Sequence, residues 1–253
     1  MKLIACYSNK GGVGKTAASV NLAYASALSG NRTLLCDLDP QGASGFYFRV
    51  KPSEKLKSNT FFEGTKKFTN AIRESDFHNL DLLPANMSFR GFDIFLSRMK
   101  KSRSRLNKAL KPVDGEYDIV LLDCPPNISL LSENIFKVAD CIVVPVIPTT
   151  LSQRTLEQLY EFFKKQGYKS SKIFPFFSMV QQSKSLHLEI MEEIRAGNKQ
   201  VLNTWIPFST HIERMGVHRA PALSYAGKQG AVASYAQLWQ EVQKGNSILD
   251  TPG

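Results

Sequence analysis

The chain has 253 residues, 43% of them hydrophobic, and a formal net charge of +10. It is long enough to bury a large core as one α/β domain, and no stretch approaches the roughly 20 apolar residues of a membrane-spanning helix, which excludes that class. The positive charge suggests a polyanionic partner. It is unevenly distributed, because residues 51–116 hold 14 Lys and Arg against 8 Asp and Glu.

The four cysteines lie far apart, at Cys6, Cys36, Cys124 and Cys141. None belongs to a CxxC pair, so we expect reduced, buried thiols. Only five mainly apolar residues separate Lys2 from Ser8, which is too short for a signal peptide. We therefore expect a cytosolic protein.

A glycine-rich stretch from Ser8 to Thr16 organises the chain. An apolar run of strand length precedes it, and residues 17–29 follow with helical spacing. Strand, turn and helix are the context of a phosphate-binding loop, in which backbone N–H groups and the helix N-terminus surround an anion. Lys15 is expected to reach the β- and γ-phosphates, and Thr16 to ligate Mg²⁺. The predicted nucleotide-binding residues are Gly11, Gly12, Val13, Gly14, Lys15, Thr16 and Ala17.

The loop departs from the ordinary P-loop pattern, because Asn9 stands where the first glycine is usual. It fits the variant Lys-Gly-Gly-x-Gly-Lys-Thr, in which Lys10 is a second lysine. This deviant Walker A motif resembles the ParA/MinD class of ATPases. The resemblance implies ATP and Mg²⁺ as ligands.

Two carboxylates, Asp37 and Asp39, follow a second buried strand that begins at Thr33. The region outside the carboxyl ends of strands is where open α/β sheets bind ligands. The stretch from Asp37 to Gly42 closely resembles the DxDPQG motif of ParA proteins. The resemblance implies that Asp39 orients or polarises the attacking water and that Asp37 helps to hold the Mg²⁺ shell.

A third aspartate, Asp123, ends a buried run that begins at Tyr117. With the Cys-Pro-Pro that follows, it resembles the Walker B and switch region of the same family, which implies that Asp123 holds Mg²⁺ through a water molecule. Five strand–helix alternations predict a mostly parallel, twisted sheet with helices on both faces. We expect a single P-loop NTPase domain over residues 1–253, with 244–253 as a short tail.

Two groups of basic residues are candidate DNA contacts. The apolar spacing of residues 92–110 predicts one helix whose second half is basic. This basic half is either a surface that contacts DNA phosphates or an acidic partner, or a helix face exposed to solvent. This first group is Arg103, Arg105 and Lys108. The resemblance favours a second group, Arg214, Arg219 and Lys228.

The last third resembles the family only in its framework. A strand is predicted over residues 172–180 and another over 201–206. Pro207 follows and resembles the family's Ile-Pro before the adenine pocket. Residues 181–185 replace the family's Asp/Asn-x-Arg-Thr turn, so DNA contacts are not carried over from that turn.

The resemblance implies a positioning ATPase with Lys10, Lys15 and Asp39 as catalytic residues. Two subunits would enclose two ATP molecules, with Lys10 reaching the partner's phosphates. The ATP-bound homodimer would bind nucleoid DNA without sequence preference, and a ParB-like or other cargo adaptor would stimulate slow hydrolysis. The cargo would be a plasmid, a chromosome or a protein assembly such as a carboxysome. The loop starts at residue 8, so we expect no helix-turn-helix ahead of it and no operator-specific repression.

Two other classes share this loop. A membrane-associated ATPase similar to MinD needs a basic amphipathic C-terminal helix, whereas the closing helix predicted over 230–244 precedes a tail without basic residues. An iron–sulfur carrier needs paired cysteines, and Cys124 has no companion two or three residues on. The sequence favours the positioning ATPase over both and predicts no membrane partner.

Overall fold

The central sheet of the computed structural model has seven strands in the order β3-β4-β2-β5-β1-β6-β7. The structure describes residues 1–63, 66–227 and 230–249, with side chains up to residue 245. The strands are β1 Lys2–Cys6, β2 Thr33–Asp37, β3 Arg73–Glu74, β4 Leu80–Leu83, β5 Ile119–Asp123, β6 Cys141–Val146 and β7 Ile173–Phe177. All neighbours run parallel except β3, which pairs antiparallel with β4 at the sheet edge.

Helices cover both faces of this sheet. They are α1 Lys15–Leu28, α2 Ala43–Tyr47, α3 Ser58–Phe61, α4 Lys66–Thr69, α5 Phe92–Ser97, α6 Arg105–Leu110, α7 Leu130–Val138, α8 Thr150–Gln166, α9 Ser185–Gly197, α10 Thr210–Glu213, α11 Met215–His218, α12 Ala222–Tyr225 and α13 Ala233–Leu249. Alternate residues of β1 enter opposite core layers: Leu3 and Ala5 pack with α7 and α8, and Ile4 and Cys6 pack with α1 and α13. The predicted parallel sheet covered on both faces is confirmed.

The strand register gathers the predicted site at one edge of the sheet. β5 lies between β1 and β2, and Asp123 at its end is the register partner of both Cys6 and Asp37. The glycine-rich loop follows β1, so it leaves the sheet beside both carboxylates. All four cysteines are buried and free, as predicted.

The single helix predicted over residues 92–110 is wrong. α5 ends at Ser97, Lys101 has a φ of 57°, and α6 begins at Arg105. Asn134 of α7 stabilises the break. Its side-chain oxygen accepts from the backbone N–H groups of Arg105 at 2.9 Å and Leu106 at 3.2 Å, and its amide donates to the Ser102 carbonyl at 2.8 Å. A residue from another helix therefore caps the start of α6.

The strand predicted over residues 201–206 is also wrong. The segment runs beside β7, but the bridge at its end joins only Val180 and Pro207. Glu241 of α13 explains the interruption, because its carboxylate accepts from the backbone N–H groups of Asn203 at 3.2 Å and Thr204 at 2.9 Å. These donors are therefore not available to a strand ladder.

The closing helix extends beyond its predicted end at Lys244, to Leu249. Gly245 lies inside it. A Cβ at this position would lie 3.2 Å from Cε1 of Phe174, so the missing side chain lets the helix pass close to β7. Residues 250–253 of the predicted tail lie outside the described residues.

Candidate functional site

The glycine-rich loop between β1 and α1 has the backbone conformation of an anion cradle. Gly12 has a φ of 71° and Gly14 a φ of 89°, in the left-handed region that glycine adopts without strain. Gly14 also lies in a crowded position, where a Cβ would be 3.0 Å from Ser178 Oγ. The loop therefore curls tightly and ends at the N-terminus of a 14-residue helix, where anions are stabilised.

Lys15 supplies a buried positive charge at the end of the loop. Lys15 is only 8% exposed, and its ammonium donates to the Lys10 carbonyl at 3.2 Å. A buried charge needs a counter-charge or strong hydrogen bonds. The ammonium is thus well placed to bind a phosphate. Thr16 and Ala17 follow in the first turn of α1 and are half-buried.

Asp37 and Asp123 form a buried pair of carboxylates beside the loop. Asp37 accepts from the backbone N–H groups of Asp39 at 3.0 Å and Ser44 at 3.1 Å. Asp123 accepts from the hydroxyls of Ser19 at 3.0 Å and Ser44 at 2.8 Å. Ser44 therefore holds both carboxylates, one through its N–H and the other through its hydroxyl.

The pair carries more negative charge than its surroundings neutralise. Burial raises the pKa of Asp37 well above its ordinary value, and the charge of Asp123 raises it further. Burial raises the pKa of Asp123 too, whereas hydrogen bonds from Ser44, Thr16 and Ser19 lower it. Among the described residues, the hydrogen-bond donors to the two carboxylates are hydroxyls and backbone N–H groups. A divalent cation would supply the missing charge.

The donor set fits Mg²⁺ in particular. Thr16 offers a hydroxyl next to two carboxylates, and Mg²⁺ in nucleotide sites takes few protein ligands and keeps several waters. Within the described part of the chain, no group of three or more His, Cys, Asp or Glu side chains could hold a metal by itself. The remaining ligands would therefore come from water and phosphate.

Asp39 lies two residues after the end of β2 and is half-buried. Its Oδ1 accepts from the backbone N–H of Gln41 at 3.0 Å, which closes a local turn. Its own N–H donates to Asp37. One backbone N–H thus holds the carboxylate, the backbone of Asp39 itself is tied to Asp37, and the side chain remains partly accessible to solvent.

Lys10 contacts another part of its own chain. Its ammonium donates to the hydroxyl of Ser152 in the first turn of α8, at 3.1 Å. The ammonium therefore lies at the positive end of a 17-residue helix. The first turn of that helix contains no acidic residue that could supply a carboxylate to Lys10. A like charge at a helix terminus costs about 0.3–1 kcal/mol. The prediction that Lys10 reaches a second subunit stays a prediction.

Pro207 is linked to the loop through the residues that follow β7. Pro207 pairs with Val180. The two residues before Val180, Ser178 and Met179, both lie close to Gly14. Pro207 is half-buried. The prediction that Pro207 lies next to a nucleotide base stays a prediction.

The first basic group is partly neutralised. Arg103 pairs with Glu133 of α7 at 2.8 Å, and Arg105 donates to the Lys100 carbonyl at 3.0 Å. Lys108 is exposed. The group is therefore less positive than its sequence indicates.

In the second basic group, Arg219 contacts the segment that carries Ser44. Arg214 is exposed, at the start of α11. Arg219 donates to the Phe46 carbonyl at 3.2 Å, and its guanidinium lies 4.8 Å from the centre of the Phe46 ring. Arg219 thus ties α11 to α2, which follows the Asp39 turn. Lys228 lies outside the described residues.

Three serines escaped the sequence analysis. Ser19 lies one turn after Lys15 in α1, and Ser44 lies in the first turn of α2, just after Gly42. Ser152 lies 142 residues from its partner Lys10. The position of Ser19 on the face of α1 that carries Lys15 was a usable signal. Nothing in the sequence marks the other two.

Two further observations concern membrane-spanning helices and the iron–sulfur alternative. No helix within the described ranges has the length and apolar character needed to cross a bilayer. Cys124 is only 1% exposed, and burial raises the pKa of its thiol well above the ordinary value. A cluster shared between two subunits needs thiols at a surface, so the position of Cys124 does not favour an iron–sulfur carrier.

The fold and loop define a P-loop NTPase, and comparison with known proteins supports this. Residues 1–173 match the family described as AAA domain. The chain is 30% identical to the chromosome partitioning protein ParA of Myxococcus xanthus, over 98% of this chain and 89% of that protein. The chain belongs to the ParA family of partitioning ATPases.

Two solved structures share the fold. An ATP complex of a Cyanothece McdA variant is 18% identical with a TM-score of 0.82, over 98% of this chain and 96% of that one. A cobyrinic acid a,c-diamide synthase from Mycobacterium smegmatis, with a bound ATP analogue and magnesium, is 23% identical with a TM-score of 0.80, over 96% and 95%. At these identities the likeness concerns the fold alone.

Proposed function

We propose that the chain is an ATP-hydrolysing switch that dimerises with ATP, binds DNA without sequence preference and positions a cargo. The observation that carries this proposal is the joint presence of two lysines in the glycine-rich loop and a buried pair of carboxylates beside it. A P-loop with Lys15 alone supports nucleotide binding. Lys10 is the feature that an ordinary P-loop lacks.

The nucleotide phosphates would lie in the loop from Gly11 to Ala17, against its backbone N–H groups and the Lys15 ammonium. Pro207 would lie near the base. Thr16 would bind Mg²⁺ directly, and Asp37 and Asp123 would hold it through water. When bound, Mg²⁺ neutralises negative charge on the phosphate oxygens. The fold shared with nucleotide-bound structures supports this assignment.

Asp39 would position the water that attacks the terminal phosphate. Its backbone N–H and one of its carboxylate oxygens are engaged locally, so the carboxylate is held in place before substrate binds. Such positioning is the main contribution a protein makes to phosphoryl transfer.

Lys10 would act on the nucleotide of a second subunit, where its charge stabilises the transition state. DNA phosphates would bind exposed basic residues of the dimer, which the net charge of +10 supports. A ParB-like or other adaptor would stimulate hydrolysis. We place the protein in the cytoplasm, associated with the nucleoid and not with a membrane. A chromosome-partitioning relative supports DNA as cargo, and plasmids or protein assemblies are the other candidates.

Complementation between two inactive variants tests the shared site. Lys10→Ala and Asp39→Ala should each abolish ATP turnover. In a mixed dimer, the ATP site of the Lys10→Ala subunit keeps its own Asp39 and receives Lys10 from the partner, so mixing should restore turnover. If Lys10 acts within its own chain, neither site is complete and mixing restores nothing. That result, or normal turnover by Lys10→Ala alone, would contradict the proposal.

A further inference from the structure

A cavity of about 470 Å³ lies at the opposite edge of the sheet from the glycine-rich loop. Lys172, in its wall, directly precedes β7, whereas the loop follows β1, and the strands β1, β6 and β7 run parallel. The described residues that line the cavity include four cations and no carboxylate. The cations are Arg103, Lys137, Lys169 and Lys172.

Two carboxylates belong to the same region, and both have partners of their own. The Glu133 side chain is only 13% exposed and pairs with Arg103 Nε at 2.8 Å. Glu133 also accepts from the Tyr168 hydroxyl at 3.1 Å. Asp140, two residues after α7, accepts from the backbone N–H of Leu3 at 2.8 Å. Four cations and two carboxylates leave an excess of two positive charges around the cavity.

Lys172 is a cation whose charge is only partly compensated. It is half-buried, and its ammonium donates to the Ala139 carbonyl at 2.6 Å. Burial lowers the pKa of Lys172, the charge of Asp140 raises it, and the charge of Lys169 lowers it again. An anion bound beside Lys169 and Lys172 would offset both unfavourable contributions.

The helix ends at the cavity account for only part of its charge. Lys137 belongs to the last turn of α7, and Gly167 caps the end of α8. Cations are favourable at such ends, each of which carries roughly half a negative charge. The two ends therefore balance about one positive charge, and the cavity remains cationic.

We propose that this cavity is a second anion site, which binds a small ligand with two or more phosphate groups. A guanidinium and three ammonium groups match phosphate oxygens, which accept several charge-assisted hydrogen bonds. The volume of about 470 Å³ lies in the range of about 300–1,000 Å³ that is typical of small-ligand sites. The site goes beyond the proposed function and does not depend on it, because the cavity and the glycine-rich loop lie at opposite edges of the sheet.

Calorimetric titration with inorganic tripolyphosphate tests this site. The Lys15→Ala chain is used, because the glycine-rich loop would otherwise bind the same probe. We expect one bound molecule per chain. Lys169→Gln and Lys137→Gln should each raise the Kd about tenfold, because each removes one charge-assisted contact. Both residues are exposed, so both variants should fold.

Lys184→Gln is the matched control, since it removes the same charge from an exposed residue that follows β7 rather than precedes it. It should leave the Kd unchanged. An equal loss of affinity in Lys184→Gln, or no loss in the two cavity variants, would overturn the proposal. A parallel titration with duplex DNA distinguishes the source of the phosphates. DNA binding that depends on Lys137 and Lys169, without binding of tripolyphosphate, would assign the cavity to nucleic acid and overturn the small ligand.

Chemical labelling locates the bound probe in the same Lys15→Ala chain. Saturating tripolyphosphate should slow the acylation of the Lys137 and Lys169 amines severalfold, as followed by mass spectrometry. The Lys184 amine should react at an unchanged rate. Equal slowing of all three amines, or unchanged rates at the cavity, would contradict a site at this place.

Discussion

Ser44 shows how much of this site is fixed by a single residue. Its backbone N–H donates to Asp37 and its side-chain hydroxyl donates to Asp123. This one residue after the Gly42 turn therefore sets the positions of two buried carboxylates. The charge that these carboxylates concentrate makes the site receptive to a cation. Lys15 places the opposite charge at the end of the neighbouring glycine-rich loop. The residue-scale predictions test these two charges separately.

Lys15→Ala should weaken ATP binding by at least a hundredfold, because the phosphates lose a buried ammonium that charge-assisted bonds require. Isothermal titration calorimetry measures the Kd. Lys10→Ala is the control, since it keeps Lys15 and the loop and should retain binding by the monomer. Undiminished affinity in a folded Lys15→Ala chain would remove the phosphate-loop assignment.

Asp123→Asn should remove the Mg²⁺-dependent part of stabilisation by nucleotide. The amide keeps the shape of the side chain but lacks the charge that a divalent cation needs. Thermal unfolding with ADP, with and without Mg²⁺, separates the two contributions to the rise in Tm. Asp118→Asn, just before the other end of β5, should change the baseline but keep the Mg²⁺-dependent rise. Equal Mg²⁺ dependence in Asp123→Asn and wild type would rule out the proposed metal site.

Motif residues could be placed from the sequence because they lie in contiguous runs at strand ends. The register of β1, β2 and β5 confirms that Asp37, Asp123 and the loop meet at one edge. Ser44 and Ser152 could not be found this way, because serine is common in loops and their partners lie 79 and 142 residues away. Their roles come from tertiary placement alone.

Among the structural elements, the glycine-rich loop is the least tolerant of substitution. Gly14→Ala should destabilise the fold by about 1–2 kcal/mol, because a φ of 89° is strained for alanine and its Cβ would press on Ser178 Oγ at 3.0 Å. Gly11→Ala is the matched control, since no atom lies within 4 Å of its Cβ position and its φ is not positive. Urea unfolding compares the two. Equal stability losses would mean that the loop geometry is not as described.

The two elements that were predicted incorrectly from the sequence failed for the same reason. The helix over 92–110 breaks because Asn134 caps α6, and the strand over 201–206 is interrupted because Glu241 takes two of its N–H groups. In both cases a side chain from a distant helix competes for backbone donors. Periodicity within a segment carries no information about such a competitor. The parallel strands and α1 were predictable because their own residues determine them.

At the scale of the whole molecule, the proposed binding of DNA requires a basic surface, and two groups of residues are candidates for it. Arg214→Ala and Lys108→Ala form the cleanest comparison, since both residues are exposed and each represents one group. Because each substitution removes a phosphate contact from both subunits of the dimer, it should lower the salt slope of binding by about 1.8 and weaken binding to all sequences alike. The tie between Arg219 and α2 favours the Arg214 group. A change confined to Lys108→Ala would assign binding to the first group instead.

The central claim is that nucleotide switches DNA binding, and one measurement tests it most directly. Fluorescence anisotropy of a labelled duplex of arbitrary sequence is followed without nucleotide, with ADP and with a non-hydrolysable ATP analogue, across a range of salt concentrations. Only the ATP-analogue state should bind, with a slope of about −5 in log K against log salt for a dimer that contacts about six phosphates. Equal binding in all three states would show a constitutive basic surface and contradict the switch.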